Sequence, residues 1–206
     1  MKILALELSS ARGSVAWMEG EEEPFVTDFA NDRKHSGPFF EALQLCIRRF
    51  GQPERIVVGL GPGSYAGTRI AIAAGIGLRT VADAELIGLS SARAMIADGD
   101  DFAVVGDARR NSFYFARVQK RRCIGGPVLC DELELRERII TLDIPVLSAE
   151  RLSAFPSVTL AYPSALILAQ LGGAMQIKGS DTPLEPIYLR EAHITTPKSR
   201  IVKITQ

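Results

Sequence analysis

Two rhythms of apolar positions alternate along this chain: short extended runs, and longer stretches with helical spacing. Residues 2–8, 14–18 and 25–29 read as three short strands. They are separated by the turn-prone Ser9-Ser10-Ala11-Arg12-Gly13 and by an acidic turn from Gly20 to Pro24. Residues 38–50 read as a helix with Phe39, Leu43, Ile47 and Phe50 on one face. Ser36 or Gly37 can cap it, and Pro38 suits its first turn. A buried-strand pattern at 55–60 leads through a glycine-dense turn into a long Ala/Gly-rich helix at 66–83. A strand at 86–89 and a short helix at 91–97 follow, and Asp98-Gly99-Asp100-Asp101 then breaks the pattern.

The second half replays this order. Residues 102–106, 111–119 and 127–130 read as strands, 132–140 as a helix and 145–147 as a strand. A last helix is expected at 164–175, its end weakened by Gly172-Gly173. In register, Ile3-Leu4-Ala5-Leu6-Glu7 overlies Ala103-Val104-Val105-Gly106-Asp107, which puts an acid at the end of the first strand of each half. The pattern predicts an α/β protein of two related lobes, residues 1–101 and a smaller 102–206, with a ligand cleft between them flanked by Glu7 and Asp107.

The turn Gly61-Pro62-Gly63-Ser64-Tyr65-Ala66-Gly67 is built either to hold a phosphate at the start of a helix or to let backbones pack closely. It is no P-loop, because no Gly-Lys-Ser/Thr closes it. A dinucleotide pattern G-x-G-x-x-A almost fits, with Asp83 and Glu85 downstream, but it follows the fourth extended segment and carries Pro62 in the turn.

Composition adds exclusions. Lysine plus arginine and aspartate plus glutamate balance at 24 each, so the chain has no strong basic field with which to grip nucleic acid alone. No apolar run is long enough for a membrane span, and no signal-peptide pattern opens the chain. Cys46, Cys123 and Cys130 lack metal-ligand spacing and read as small apolar residues, so a cytoplasmic setting is expected.

Several motifs, in order, resemble the TsaB (YeaZ) family: ILALELSS at the N-terminus, His35-Ser36, the run from Gly59 to Ile70, Gly88-Leu89-Ser90-Ser91, Asp107-Ala108-Arg109-Arg110 and Tyr188-Leu189-Arg190. The GPGS-aromatic-x-G-x-R element is the specific one. The resemblance implies an actin/sugar kinase/Hsp70-like fold of two RNase H-like lobes, each β-β-β-α-β-α. It also implies work on threonylcarbamoyladenosine beside the anticodon of ANN-decoding tRNAs. Family members there pair with the larger paralogue TsaD and are joined by the ATPase TsaE, so ATP and a metal are expected in the partners. A homodimer is the alternative state when alone, and tRNA would be met only through the complex.

TsaD-type enzymes carry an H-x-x-x-H metal pair after the strand that follows the glycine-loop helix. Here Ser91 and Met95 stand at those places, and neither replaces an imidazole for a divalent metal. His35 and His193 are too far apart in sequence to supply such a pair. A non-catalytic subunit without a metal or cofactor of its own is therefore expected. Glu7, Ser9, Gly61, Gly63, Asp107 and Arg109 are expected around a vestigial nucleotide cleft. The competing reading is an active ATPase or phosphotransferase that uses Glu7 and Asp107 around magnesium. The bland reading of both acids is bonding to turn amides.

Within the long helix, Ile70, Ala74, Gly77 and Val81 form a stripe suited to a sheet. Arg69, Ile72, Ile76, Arg79 and Asp83 form a second stripe, and Gly67, Ala71 and Gly75 a row of small residues. The resemblance implies pairing through the two N-terminal helices. It thereby points to Phe39, Leu43, Arg69, Ile72, Gly75, Ile76 and Arg79 as the contact; the alternative is that the helix residues pack within their own lobe. The tail 191–206 is left open between packing on a lobe and hanging free.

Overall fold

The computed structural model describes residues 1–31, 36–176 and 184–190. His35, His193 and the tail 191–206 lie outside the described residues. The first lobe runs β1 (Lys2–Glu7), β2 (Arg12–Glu19), β3 (Phe25–Ala30), α1 (Gly37–Phe50), β4 (Arg55–Gly59), α2 (Tyr65–Ala82) and β5 (Glu85–Leu89). The second runs β6 (Phe102–Asp107), β7 (Phe113–Gln119), β8 (Arg122–Cys130), α3 (Glu132–Ile140), β9 (Val146–Ser148) and β10 (Thr159–Leu160). The chain then enters α4 (Ala165–Gly173). The sheets have orders β3-β2-β1-β4-β5 and β10-β9-β6-β7-β8, so each places its strands third-second-first-fourth-fifth. In both, the first strand pairs antiparallel with the second and parallel with the fourth. The duplication read from the strand order is thus a duplication of topology.

Burial explains the sequence rhythm strand by strand. β4 is buried at every residue and β1 at all but Lys2, because helices cover both faces of the first sheet. Phe39, Ala42, Leu43, Cys46, Ala71 and Ile72 pack from α1 and α2 on one face. Ala165, Leu168 and Ala169 of α4 pack on the other, against Ile3, Ala5 and Val57. The edge strand β3 alternates half-buried and exposed.

Helix ends follow their capping chemistry. The Ser64 hydroxyl accepts from the Gly67 N–H of α2 at 3.2 Å, and Asp83 closes that helix in the left-handed region. Asp131 and Glu134 form a reciprocal capping box at the start of α3. Ser36 precedes α1 without a side-chain cap, and Pro38 lies in its first turn.

Four details differ from the sequence reading. The strand expected at 127–130 is the longer β8, which carries Gly125 at φ +74° and Pro127 on the sheet edge, where proline is tolerated. The helix expected at 91–97 is a 3₁₀ turn, Ser91–Ala94, cut short because Met95 bridges Pro163. β10 is a two-residue strand too short to show a period. Although it follows the second lobe in sequence, α4 covers the first sheet. Gly172 makes that possible, since a Cβ there would overlap the Val57 side chain. Arg55 fixes the helix end: its guanidinium donates to the carbonyls of Gly172 (2.6 Å) and Met175 (3.0 Å) and pairs with Glu85 at 2.6 Å.

Candidate functional site

Between the lobes lies a cleft of about 700 Å³. The first lobe supplies Ser9, Ser10, Asn31 and the turn 62–66, and the second supplies Asp107, Ala108, Arg109, Tyr114 and Glu150. Residues 186–189 complete the wall. Gly63, Ser9, Asp107 and Arg109 therefore meet where the duplicated topology put them. Gly61 and Glu7 do not reach the lining and stand behind it.

The glycine turn serves backbone packing, and the amides of Gly61 and Ser64 are committed inward. Gly63, at φ +155°, passes so close to the first hairpin that a Cβ would overlap the Ser9 carbonyl oxygen. Ser64 N–H donates to that oxygen at 2.6 Å. Gly67 lies against the Leu8 carbonyl in the same way. Gly61 N–H donates to the Ser91 hydroxyl at 3.0 Å, and the Gly61 carbonyl accepts from Ser91 N–H at 2.8 Å. The turn knits β1, β4, α2 and the 3₁₀ segment into one edge of the cleft.

The two acids differ in environment. Glu7 is fully buried. Its Oε1 accepts from Ser9 N–H at 2.6 Å, while Oε2 has no hydrogen-bond partner and points to the space left by the missing side chain of Gly59. Burial pushes the Glu7 carboxyl above its ordinary range, and the polar groups of Ser9, Ser91 and Leu8 around it offset only part of that rise. Asp107 is partly exposed; its Oδ1 accepts from Arg109 N–H at 2.6 Å and its Oδ2 pairs with Arg109 Nη1 at 3.0 Å. Both carboxyls thus accept from the amide two residues on. A buried carboxyl aimed away from the cleft and an aspartate tied to its own arginine do not fit a magnesium ion shared between the lobes.

The positions of the missing histidines are also in use. The Ser91 hydroxyl holds Gly61 N–H, and Met95 is buried in the second-lobe core with Phe102, Val104 and Leu147. Among the described residues no group of three His, Cys, Asp or Glu side chains could hold a metal ion. No helix among them is long and apolar enough to cross a membrane.

The helix surface requires the largest correction. Phe39 is 1% exposed, Leu43 8% and Ile72 7%, and all three belong to the first-lobe core. Gly75 is buried against Val58 and Leu86. None of these four offers itself to a partner. The small row Gly67, Ala71, Gly75 faces the sheet, where it lets α2 approach Leu8 and Val58. Gly77 and Val81, expected against the sheet, face outward, with Val81 74% exposed. The first stripe is split, with Ile70 and Ala74 packed on the core and Gly77 and Val81 turned out, and of the second only Ile72 is buried, because a helix this rich in Ala and Gly carries little apolar contrast between its faces. Arg69, Ile76 and Arg79 do lie on the outer side. They are joined there by Ala66, Ala73, Gly77 and Val81 of α2, and Phe40 and Leu45 of α1 are exposed as well. The exposure of Phe40 follows from the stripe Phe39, Leu43, Ile47 and Phe50, which leaves its neighbour Phe40 off the buried face.

Comparison with known proteins places these features. The family model described as TsaD, tRNA N6-adenosine threonylcarbamoyltransferase, matches residues 37–163. The tRNA threonylcarbamoyladenosine biosynthesis protein TsaB of Haemophilus influenzae is 24% identical over an alignment covering 92% of this chain and 94% of that protein. Two solved structures share the fold. One is described as an uncharacterized protein with similarity to peptidase YeaZ from Pseudomonas aeruginosa (TM-score 0.70, 21% identity, 92% of this chain and 99% of that one). The other is YeaZ from Pseudomonas aeruginosa (TM-score 0.65, 19% identity, 84% and 91%).

Proposed function

Because the chain belongs to the TsaD family, on its TsaB (YeaZ) side, we propose that it is the non-catalytic partner subunit of a tRNA threonylcarbamoyl transferase. In this reading it pairs with a TsaD-type protein, which supplies the metal and performs the transfer to adenosine next to the anticodon. The observation that carries the reading is the fate of the catalytic positions. Ser91 and Met95 stand where the enzymes hold a metal, and both are built into the packing that joins the lobes. The two strand-end acids support it further, since Glu7 is buried behind the cleft and Asp107 is engaged by Arg109.

The contact surface follows from the corrected helix faces. Ala73 and Gly77 form a short outward row of small residues one turn apart, with nothing near the absent Cβ of Gly77. Ile76 (49% exposed) and Val81 flank that row, and Phe40 of α1 adds an exposed ring on the same covered face of the sheet. A partner helix can approach such a row closely and bury the flanking apolar groups. The chain is electrically neutral overall, so tRNA is met in the assembly and not by this subunit alone.

Reconstitution tests the proposal. The chain should raise threonylcarbamoyl transfer by a TsaD-type partner with TsaE and ATP present, and should hydrolyse no ATP when alone. Turnover by the lone chain, abolished in Asp107→Asn, would overturn it.

A further inference from the structure

The last described segment, 184–190, has no place in the helix-and-sheet framework, yet it touches both lobes. At one end Leu184 joins the first-lobe core, packed with Leu60 over Gly88. In the middle Ile187 N–H donates to the Leu60 carbonyl at 2.8 Å, and the Tyr188 ring stacks obliquely on Tyr65, centroids 5.6 Å apart. At the other end Leu189 packs into the second-lobe core. Arg190 donates to the Ser112 hydroxyl at the β6–β7 hairpin. Seven residues therefore bind one lobe at their start and the other at their end.

What they hold depends on how the lobes are otherwise joined. Residues 90–101 lead from β5 to β6, and residues 161–164 lead from β10 back to α4. These two lengths run side by side. Met95 and Pro163 form an antiparallel bridge, Ile96 N–H donates to the Tyr162 carbonyl at 3.0 Å, and Ser164 N–H to the Ala94 carbonyl at 2.9 Å. Two crossings bonded to each other set one hinge line, the axis about which the lobes can turn. Neither crossing contributes to the cleft wall, whereas residues 186–189 line it. A tie placed off the hinge line, across the cleft, removes the remaining rotation.

We propose that residues 184–190 form an interlobe strap, which holds the cleft closed and on release lets the lobes turn about the paired crossing. The strap is suited to release. It has no ladder partner, one backbone bond to Leu60 as its main-chain anchor among those described, and Pro186 beside it. Its remaining contacts are side chains that detach one by one, as in segments of low local stability. The joint Tyr65–Tyr188 is half exposed at the start of α2. Arg69 donates to the Tyr65 hydroxyl there at 2.7 Å, which keeps that ring in place under Tyr188.

The test is an interlobe distance in the full chain. Spin labels go on Glu21→Cys in the β2–β3 turn and Glu137→Cys on α3, both exposed, in a Cys123→Ser background; Cys46 and Cys130 are buried. Pulsed EPR should give one narrow distribution for the parent. The pair Tyr188→Ala with Leu189→Ala should add a second, displaced population, the open form rising roughly tenfold. Ile187→Pro, which removes the donor to Leu60 together with the Ile187 side chain, should shift it in the same direction. If either variant keeps its circular dichroism and the parent distribution, the strap does not set the lobe angle and the proposal falls. Because the readout involves no partner, it is independent of the proposed function.

Discussion

Replacing Glu7 by glutamine separates a buried neutral carboxyl from a cation-binding carboxylate. In the fold Glu7 is fully buried, with one oxygen bonded to Ser9 N–H and the other without a partner. Burial raises its pKa above the ordinary value of 4.5. Between those two values the unfolded chain has lost the proton and the folded chain retains it, so stability must fall as pH rises. The slope is about 1.4 kcal/mol per pH unit until the folded carboxyl also ionises, after which the deficit stays constant. Below the unfolded value the deficit vanishes. Glutamine keeps an acceptor for Ser9 N–H and has no proton to lose. Urea unfolding of both proteins at steps of about one pH unit from about 4 to 8 should show near-equal stability at the acid end. Toward neutral pH the Glu7→Gln variant should gain progressively. A difference that does not change with pH would refute the reasoning. A wild type that gains on the variant as pH rises, most of all with magnesium added, would favour the ATPase reading.

Other substitutions read the corrected packing. Ile72→Ala opens a cavity in the first-lobe core and should cost about 2–5 kcal/mol, whereas Ile76→Ala, one turn on and half exposed, should stay within about 0.5 kcal/mol; urea midpoints of both decide. Gly63→Ala must overlap the Ser9 carbonyl at φ +155° and should destabilise by more than about 1 kcal/mol. Gly77→Ala, in open space within α2, should stabilise by about 0.5–1 kcal/mol, measured as a rise in Tm. Arg55→Met leaves Glu85 unpaired and the carbonyls of Gly172 and Met175 without their donor, so a loss of about 3–5 kcal/mol in calorimetry is expected.

How much of this was legible before the fold was known varies with the kind of signal. Strand order and the matching acids at Glu7 and Asp107 were readable because β1, β4 and β6 are continuous apolar runs of unmistakable length. The faces of α2 were not. With Ala and Gly at half or more of its central positions, the buried side is chosen by close approach to Leu8 and Val58, a tertiary fact that periodicity does not contain. Phe39 and Leu43 failed as partner residues for a related reason: a single apolar stripe on α1 must first bury itself on its own sheet. The crossing of α4 to the first sheet was hidden as well: Gly172-Gly173 read only as a weak helix end, whereas Gly172 is where the helix approaches Val57. Leu184–Arg190 carries no period at all, and its role appears only from what its two ends touch.

Partner pairing is best measured by light scattering on a gel-filtration column, with the chain alone and then mixed with a TsaD-type protein from the same source. A one-to-one complex is expected. It should be lost in Ile76→Asp, whose circular dichroism should match that of the parent, since that side chain lies outside the core. Separate elution of the two proteins, with or without ATP, would contradict the partner-subunit account, and pairing retained in Ile76→Asp would remove the outer face of α2 from it.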